Sequence, residues 1–151
     1  MEKLIFYICT FVLISFTIGS KLGSREVHYI TCLTENNVSD DDMFTIQDII
    51  EDKHKQENQE RIKKNGCVIQ CLLQKEGVME GSEYDVEKMH SKFTKRTNAP
   101  SGSKKVETLD NCINETKDLT EKCDKSFALT ECLVKAEERE KSRHLPIERL
   151  G

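Results

Sequence analysis

Six cysteines, Cys32, Cys67, Cys71, Cys112, Cys123 and Cys132, follow an apolar leader and are separated by 34, 3, 40, 10 and 8 residues. In a reducing cytosol such thiols would stay idle, whereas an oxidising secretory route turns an even set into covalent staples for a small domain. The leader agrees with the second setting. Lys3 precedes an apolar run from Leu4 to Ile18 broken only by Thr10, Ser15 and Thr17, and small residues follow at Gly19 and Ser20. A membrane span needs about 20 apolar residues. This run is shorter and ends at a small-residue cleavage site, so residues 1–20 read as a signal peptide and the mature chain is expected to begin near Ser20 or Lys21. Cys9 falls within the leader, and cleavage leaves six thiols with no odd one.

Cleavage removes Glu2 together with Lys3, so the formal charge stays at −4. No block of Lys and Arg with interleaved aromatics occurs, and the electrostatic footprint of a nucleic-acid binder is missing. About 130 mature residues suit one domain, expected over residues 21–143. With no Trp, 6% aromatic and 33% charged residues, its apolar core must be modest. Three disulfides, each worth roughly 2–4 kcal/mol through restriction of the unfolded chain, offset that deficit. No second apolar segment or internal repeat is present.

Apolar residues recur at intervals of three and four, and strict strand alternation is scarce, which predicts an all-α fold of about six helices. The first spans about 25–35 with His28, Tyr29, Cys32 and Leu33 as its stripe. Ser39, with Asp42 three residues on, is expected to cap the second, which would bury Met43, Ile46, Ile49 and Ile50. After a polar stretch from His54 to Lys64, the third helix carries Ile62, Gly66, Ile69, Leu72 and Leu73 and ends before Gly77. Asp85 caps a fourth, with Met89 and Phe93 four apart, and the Pro, Gly and Ser between Asn98 and Ser103 stop it. The fifth presents Val106, Leu109, Cys112 and Ile113. The sixth starts near Asp124 and presents Leu129, Cys132, Leu133 and Ala136.

Helical geometry narrows the cysteine pairing. Cys67 and Cys71, four apart, share one helix face and are poorly aimed to bond each other. Cys123 and Cys132, nine apart, fall on opposite sides of the last helix, which can therefore be bolted to a different neighbour on each side. Six cysteines still allow fifteen pairings, and these facts do not choose one. Zinc is a poor reading of Cys67 and Cys71, because structural zinc wants tighter Cys and His clusters and the four histidines are scattered. No Ser, Cys or His sits in a nucleophile or metalloprotease motif, and His28, His54, His90 and His144 have no sequence-local carboxylate arrangement that singles one out. No enzymatic activity, cofactor or metal is expected.

The cysteine order resembles that of the insect odorant-binding, or pheromone-binding, protein family, whose most rigid intervals are the three-residue and eight-residue gaps. Local text resembles its fire-ant pheromone-binding type: Asn65-Gly-Cys-Val-Ile-Gln-Cys-Leu-Leu-Gln-Lys75, Tyr84-Asp85 with Glu87-Lys-Met89, Glu115-Thr-Lys-Asp118 and Lys122-Cys-Asp-Lys-Ser126. The resemblance covers roughly residues 25–137. One departure is the 34-residue first gap, longer than most members show, which leaves the extent of the second helix open. Membership implies disulfides Cys32–Cys71, Cys67–Cys123 and Cys112–Cys132, and helices around an apolar cavity.

That cavity gives the apolar stripes a use beyond core filling. The candidate ligand-binding wall is Met43, Phe44, Ile69, Leu72, Leu73, Met79, Met89, Phe93, Leu109, Ile113, Phe127 and Leu133. Methionine suits a wall that adapts to ligand shape, and phenylalanine offers flat apolar surface. Tyr84, Thr108 and Ser126 are candidates for one polar contact. The expected function is a secreted carrier of a small hydrophobic odorant or pheromone through aqueous lymph. The expected partners are that ligand, an olfactory receptor and a second copy of the chain in a homodimer, without nucleic acid or membrane insertion. The alternative is a secreted, disulfide-stabilised helical protein that binds a protein partner such as a receptor ectodomain. Asn37-Val-Ser39 and Asn114-Glu-Thr116 are N-glycosylation sequons, which secretion makes meaningful. The tail, residues 144–151, carries Leu145, Ile147 and Leu150, and in similar proteins such a segment folds across the cavity as a lid.

Overall fold

The computed structural model describes residues 26–144. The leader expected over residues 1–20 and, His144 apart, the tail expected over residues 144–151 lie outside the described residues. Six α-helices are described: α1 over residues 26–35, α2 (Ile46–Ile50), α3 (Gln59–Lys75), α4 (Val86–Thr97), α5 (Lys104–Thr116) and α6 (Lys122–His144). A small antiparallel hairpin of β1 (Met79–Glu80) and β2 (Glu83–Tyr84) joins α3 to α4. None of the described helices is long and apolar enough to cross a membrane.

Local chemistry starts and stops these helices. Asn58 accepts a hydrogen bond from the Arg61 N–H at the start of α3 (2.8 Å). Asp85 does the same for Lys88 at the start of α4 (3.0 Å), and α4 ends on Asn98, whose φ of 49° places it in the left-handed region that Asn tolerates. The sixth helix begins at Lys122, two residues earlier than Asp124, and at 23 residues is about 35 Å long.

The second helix departs from expectation. The Ser39 hydroxyl bonds the Asp42 carboxylate (2.8 Å) but opens only a single 3-10 turn, Asp40–Asp42. The α-helix starts afresh behind Thr45, which forms a reciprocal capping box with Asp48. Asn65 on α3 is the cause. Its side chain is 1% exposed, accepts from the Phe44 N–H (2.7 Å) and donates to the Asp42 carbonyl (2.9 Å). Those backbone groups would have served a continuous helix and are instead tied to α3. In the short helix that remains, Ile49 is buried, Ile50 half-buried and Ile46 67% exposed, so Ile46 is not part of the core. A second 3-10 turn, Lys53–Gln56, completes the long first interval between cysteines.

The longest helix contact is between α3 and α6, and α5 lies against α6 beside it. The disulfides join Cys32 to Cys71, Cys67 to Cys123 and Cys112 to Cys132, the pairs that the family resemblance implies. Thus α1 is bonded to α3, α3 to the start of α6, and α6 again to α5. Two apolar clusters fill the spaces between. One joins α1 to α3 through Leu33, Val38 and Val68 around the Cys32–Cys71 bond. The other lies among the hairpin, α4, α5 and α6 and is centred on Val78, Met89, Leu109, Ile113 and Leu129.

Candidate functional site

Six of the expected wall residues meet in that second cluster. Met89, Leu109 and Ile113 are buried there, and Leu73, Phe93 and Leu133 pack against them partly exposed. The other six lie elsewhere. Met43 and Leu72 flank the α1–α3 cluster. Phe44 and Phe127 meet edge to face with centroids 5.9 Å apart. Met79 is buried beside the Ser126 hydroxyl (3.3 Å), and Ile69 is half-buried on α3.

Phe93 and Leu133 also face outward. With Thr97, Thr108, Lys105 and Glu137 they line a cleft of about 100 Å3 between α4, α5 and α6, which gives the apolar cluster an edge on solvent. Thr108 donates to the Lys104 carbonyl (2.9 Å) at the rim of this cleft. Tyr84 turns its ring to the cluster and its hydroxyl to Thr116 (2.9 Å) and the Lys125 carbonyl (3.3 Å); burial raises its pKa, although the Thr116 bond opposes this. Lys125, 1% exposed, donates to the Lys117 carbonyl (2.8 Å) and lies 4.7 Å over the same ring. Ser126 donates to the Lys122 carbonyl (2.7 Å). Of the three candidate polar contacts, Thr108 is the one on the cleft.

Sequence reasoning missed a second concavity. An open trough of about 690 Å3 runs along the other side of α6, with Ile50, Leu119 and Ala128 as its apolar surface and Asp52, Glu131 and Lys135 as a charged group. None of the twelve wall residues lines it. His54 stands behind that charged group. It is 2% exposed, packs against both the Phe44 and the Phe127 ring (centroids 6.1 and 5.5 Å away), and has Nε2 3.0 Å from Glu131 Oε1. Lys135 donates to Glu131 (2.7 Å) and to Asp52, so the residues after α2 are clamped to α6. The Asp52, His54 and Glu131 ligand atoms all lie within 4.8 Å of one another, and the two carboxylates among them hold the Lys135 ammonium. His54 and Glu131 are 77 positions apart, so no local motif could have marked them; the one available signal was a histidine within an otherwise polar run.

This clamp predicts an acid response. The hydrogen bond from Lys135 first, and that from Lys55 second, lower the Asp52 pKa to about 2. For Glu131 burial acts upward, but the Lys135 hydrogen bond and the Lys135 and His54 charges outweigh it, and the net direction is down. Carboxylates lowered in the folded state contribute stability that is complete above their unfolded pKa values of about 4 and is lost as pH falls through the folded ones. Lys135→Met is therefore expected to lower the urea midpoint at neutral pH and to shrink its fall between about pH 4.5 and 2. Equal falls in the two proteins would detach the acid response from this clamp.

Six helices, four of them (α1, α3, α5 and α6) crosslinked by three disulfides, with an apolar cluster reaching solvent at a narrow cleft, define a small all-α, disulfide-stapled binding protein. Residues 25–136 match the PBP/GOBP family, and the chain belongs to it. This is a family of binding and carrier proteins, not of enzymes. The chain is similar to Pheromone-binding protein Gp-9 of Solenopsis globularia littoralis, at 47% identity over 91% of this chain and 92% of the relative. It is also similar to the proteins of that name from Solenopsis nigella gensterblumi, at 44%, and Solenopsis richteri, at 41%, each over 91% of this chain and 94% of the relative. These relatives are of the fire-ant type that the local motifs resemble.

Proposed function

We propose that this protein is a secreted carrier that holds a small hydrophobic molecule of the odorant or pheromone class and moves it through aqueous lymph toward an olfactory receptor. The observation that carries this reading is the meeting of Leu73, Met89, Phe93, Leu109, Ile113 and Leu133 in one cluster that reaches solvent at the Phe93 and Leu133 cleft. In this reading the ligand enters at the cleft and occupies space made by rotamer changes of Met89, Phe93 and Leu133, with Thr108 available to a hydroxyl or carbonyl group. Burial supplies the driving force. At about 25 cal/mol per Å2, a few hundred Å2 of ligand surface yields several kcal/mol before association costs, and micromolar affinity corresponds to about −8 kcal/mol. No reaction is involved.

The test is titration of the oxidised, delipidated mature protein with an environment-sensitive apolar fluorophore, followed by displacement with volatile alcohols, esters and fatty acids. Saturable binding at about micromolar concentration is expected. Leu133→Trp, which fills the cleft, should weaken it about tenfold, the equivalent of about 1.4 kcal/mol, whereas Ile50→Trp in the trough should leave it unchanged. Absence of binding by the folded protein would favour the alternative in which the partner is another protein. The reverse order of the two variants would move the ligand to the trough.

A further inference from the structure

We propose that Asn37, and not Asn114, is an N-glycosylation site of the secreted protein. The inference rests on the secretory reading and adds a covalent modification to it. Both sequons have an exposed asparagine, and the structure separates them by what surrounds it. Asn37 lies in the turn that follows α1, with φ of 54°, and its side chain has no hydrogen-bond partner among the described residues. Ser39, two residues on, is exposed on non-helical backbone, and among the described residues its hydroxyl bonds only the exposed carboxylate of Asp42. In the folded protein the Asn37 and Ser39 side chains thus stay exposed, with only Val38 between them turned into the α1–α3 cluster.

Asn114 and its Thr116 both belong to α5. Thr116 is 4% exposed, and its hydroxyl donates to the Cys112 carbonyl (2.8 Å) and meets the Tyr84 hydroxyl (2.9 Å). The fold of α5 therefore ties up and buries the hydroxyl that a transferase must engage, so this sequon is withdrawn as the domain folds.

The modification is a displacement. The Asn37 Nδ2 attacks C1 of the terminal N-acetylglucosamine of a lipid diphosphate-linked oligosaccharide, and a new C–N bond replaces the bond from C1 to the diphosphate oxygen. The lipid diphosphate leaves with that electron pair, and the proton lost from Nδ2 passes to a base on the transferase.

The experiment is expression of the full chain in insect cells, with intact-mass analysis of the protein from the medium before and after amidase release of N-glycans. The expected result is a glycan-sized mass loss on release, with residue 37 converted to Asp. The glycan should vanish in Asn37→Gln and in Ser39→Ala and persist in Asn114→Gln. Ser39→Ala leaves the left-handed Asn37 in place, so loss of the glycan there cannot be ascribed to altered backbone. Secreted protein of unmodified mass, or a glycan abolished only by Asn114→Gln, would overturn the proposal and leave the carrier reading standing. Retention in the cell with the leader uncleaved would overturn both.

Discussion

Replacing Cys67 and Cys123 together by alanine is expected to cost about 4 kcal/mol, the largest loss among the three disulfides. The bond closes a loop between residues 56 positions apart, against 39 for Cys32–Cys71 and 20 for Cys112–Cys132. Loop-closure entropy removed from the unfolded chain rises with the logarithm of that separation, which scales the expected losses from about 3 kcal/mol for the shortest loop to about 4 for the longest. Because the effect acts on the unfolded state, the dependence of stability on urea should steepen as the midpoint falls, since a less constrained chain exposes more surface. Equilibrium urea unfolding of the three paired variants checks both points. A greater loss from the Cys112 and Cys132 pair would mean that packing around the bond, and not the length of chain it closes, sets its contribution.

The second large effect belongs to the residue beside that bond. A Cβ built on Gly66 would lie 2.2 Å from the Cys123 carbonyl oxygen and 2.8 Å from its carbon. Both atoms are backbone, so no side-chain rotation relieves the overlap. The helices cannot part locally either, because Cys67 and Cys123 are bonded with their Cα atoms 4.4 Å apart. A glycine within a helix costs about 1 kcal/mol relative to alanine, and this close approach of α3 to α6 is what requires it. Gly66→Val is expected to destabilise the protein by about 3 kcal/mol, at the upper end for overpacking. Gly66→Ala should lose less, as helix propensity offsets part of the clash. In contrast to the disulfide variants, the urea midpoint should fall with no steepening, because the strain acts on the native state. A Gly66→Val protein as stable as the parent would mean that the crossing is looser than the structure has it.

Elements governed by neighbours along the chain were readable in advance. The stripe of Val106, Leu109, Cys112 and Ile113 predicts α5 and its buried face, and Asp85 caps α4 as its position suggests. The second helix was misplaced because Ser39 and Asp42 make a plausible cap considered alone, while Asn65, more than twenty positions later, takes the backbone groups on which a continuous helix depends. A hydrogen bond over that distance leaves no periodic signature. The same holds for the trough, whose apolar Ile50, Leu119 and Ala128 come from three separate parts of the chain. The apolar residues proposed as a ligand wall were recognisable as inward-facing, but helical periodicity does not say which cluster each joins. Leu72 and Leu73, adjacent on α3, go to different ones.

The number and spacing of the thiols, the helical period of the apolar residues and the motifs of the PBP/GOBP family are properties of the chain, and they determined the fold class. Spacing and periodicity record how residues relate to those a few positions away, which is also the range over which helices form. The tertiary structure decided where α2 begins, why position 66 must be glycine, and that His54, Glu131 and Lys135 share one clamp. Those outcomes depend on contacts between groups that only the crossing of α3 and α6, and the docking of the chain after α2, bring within a few ångströms.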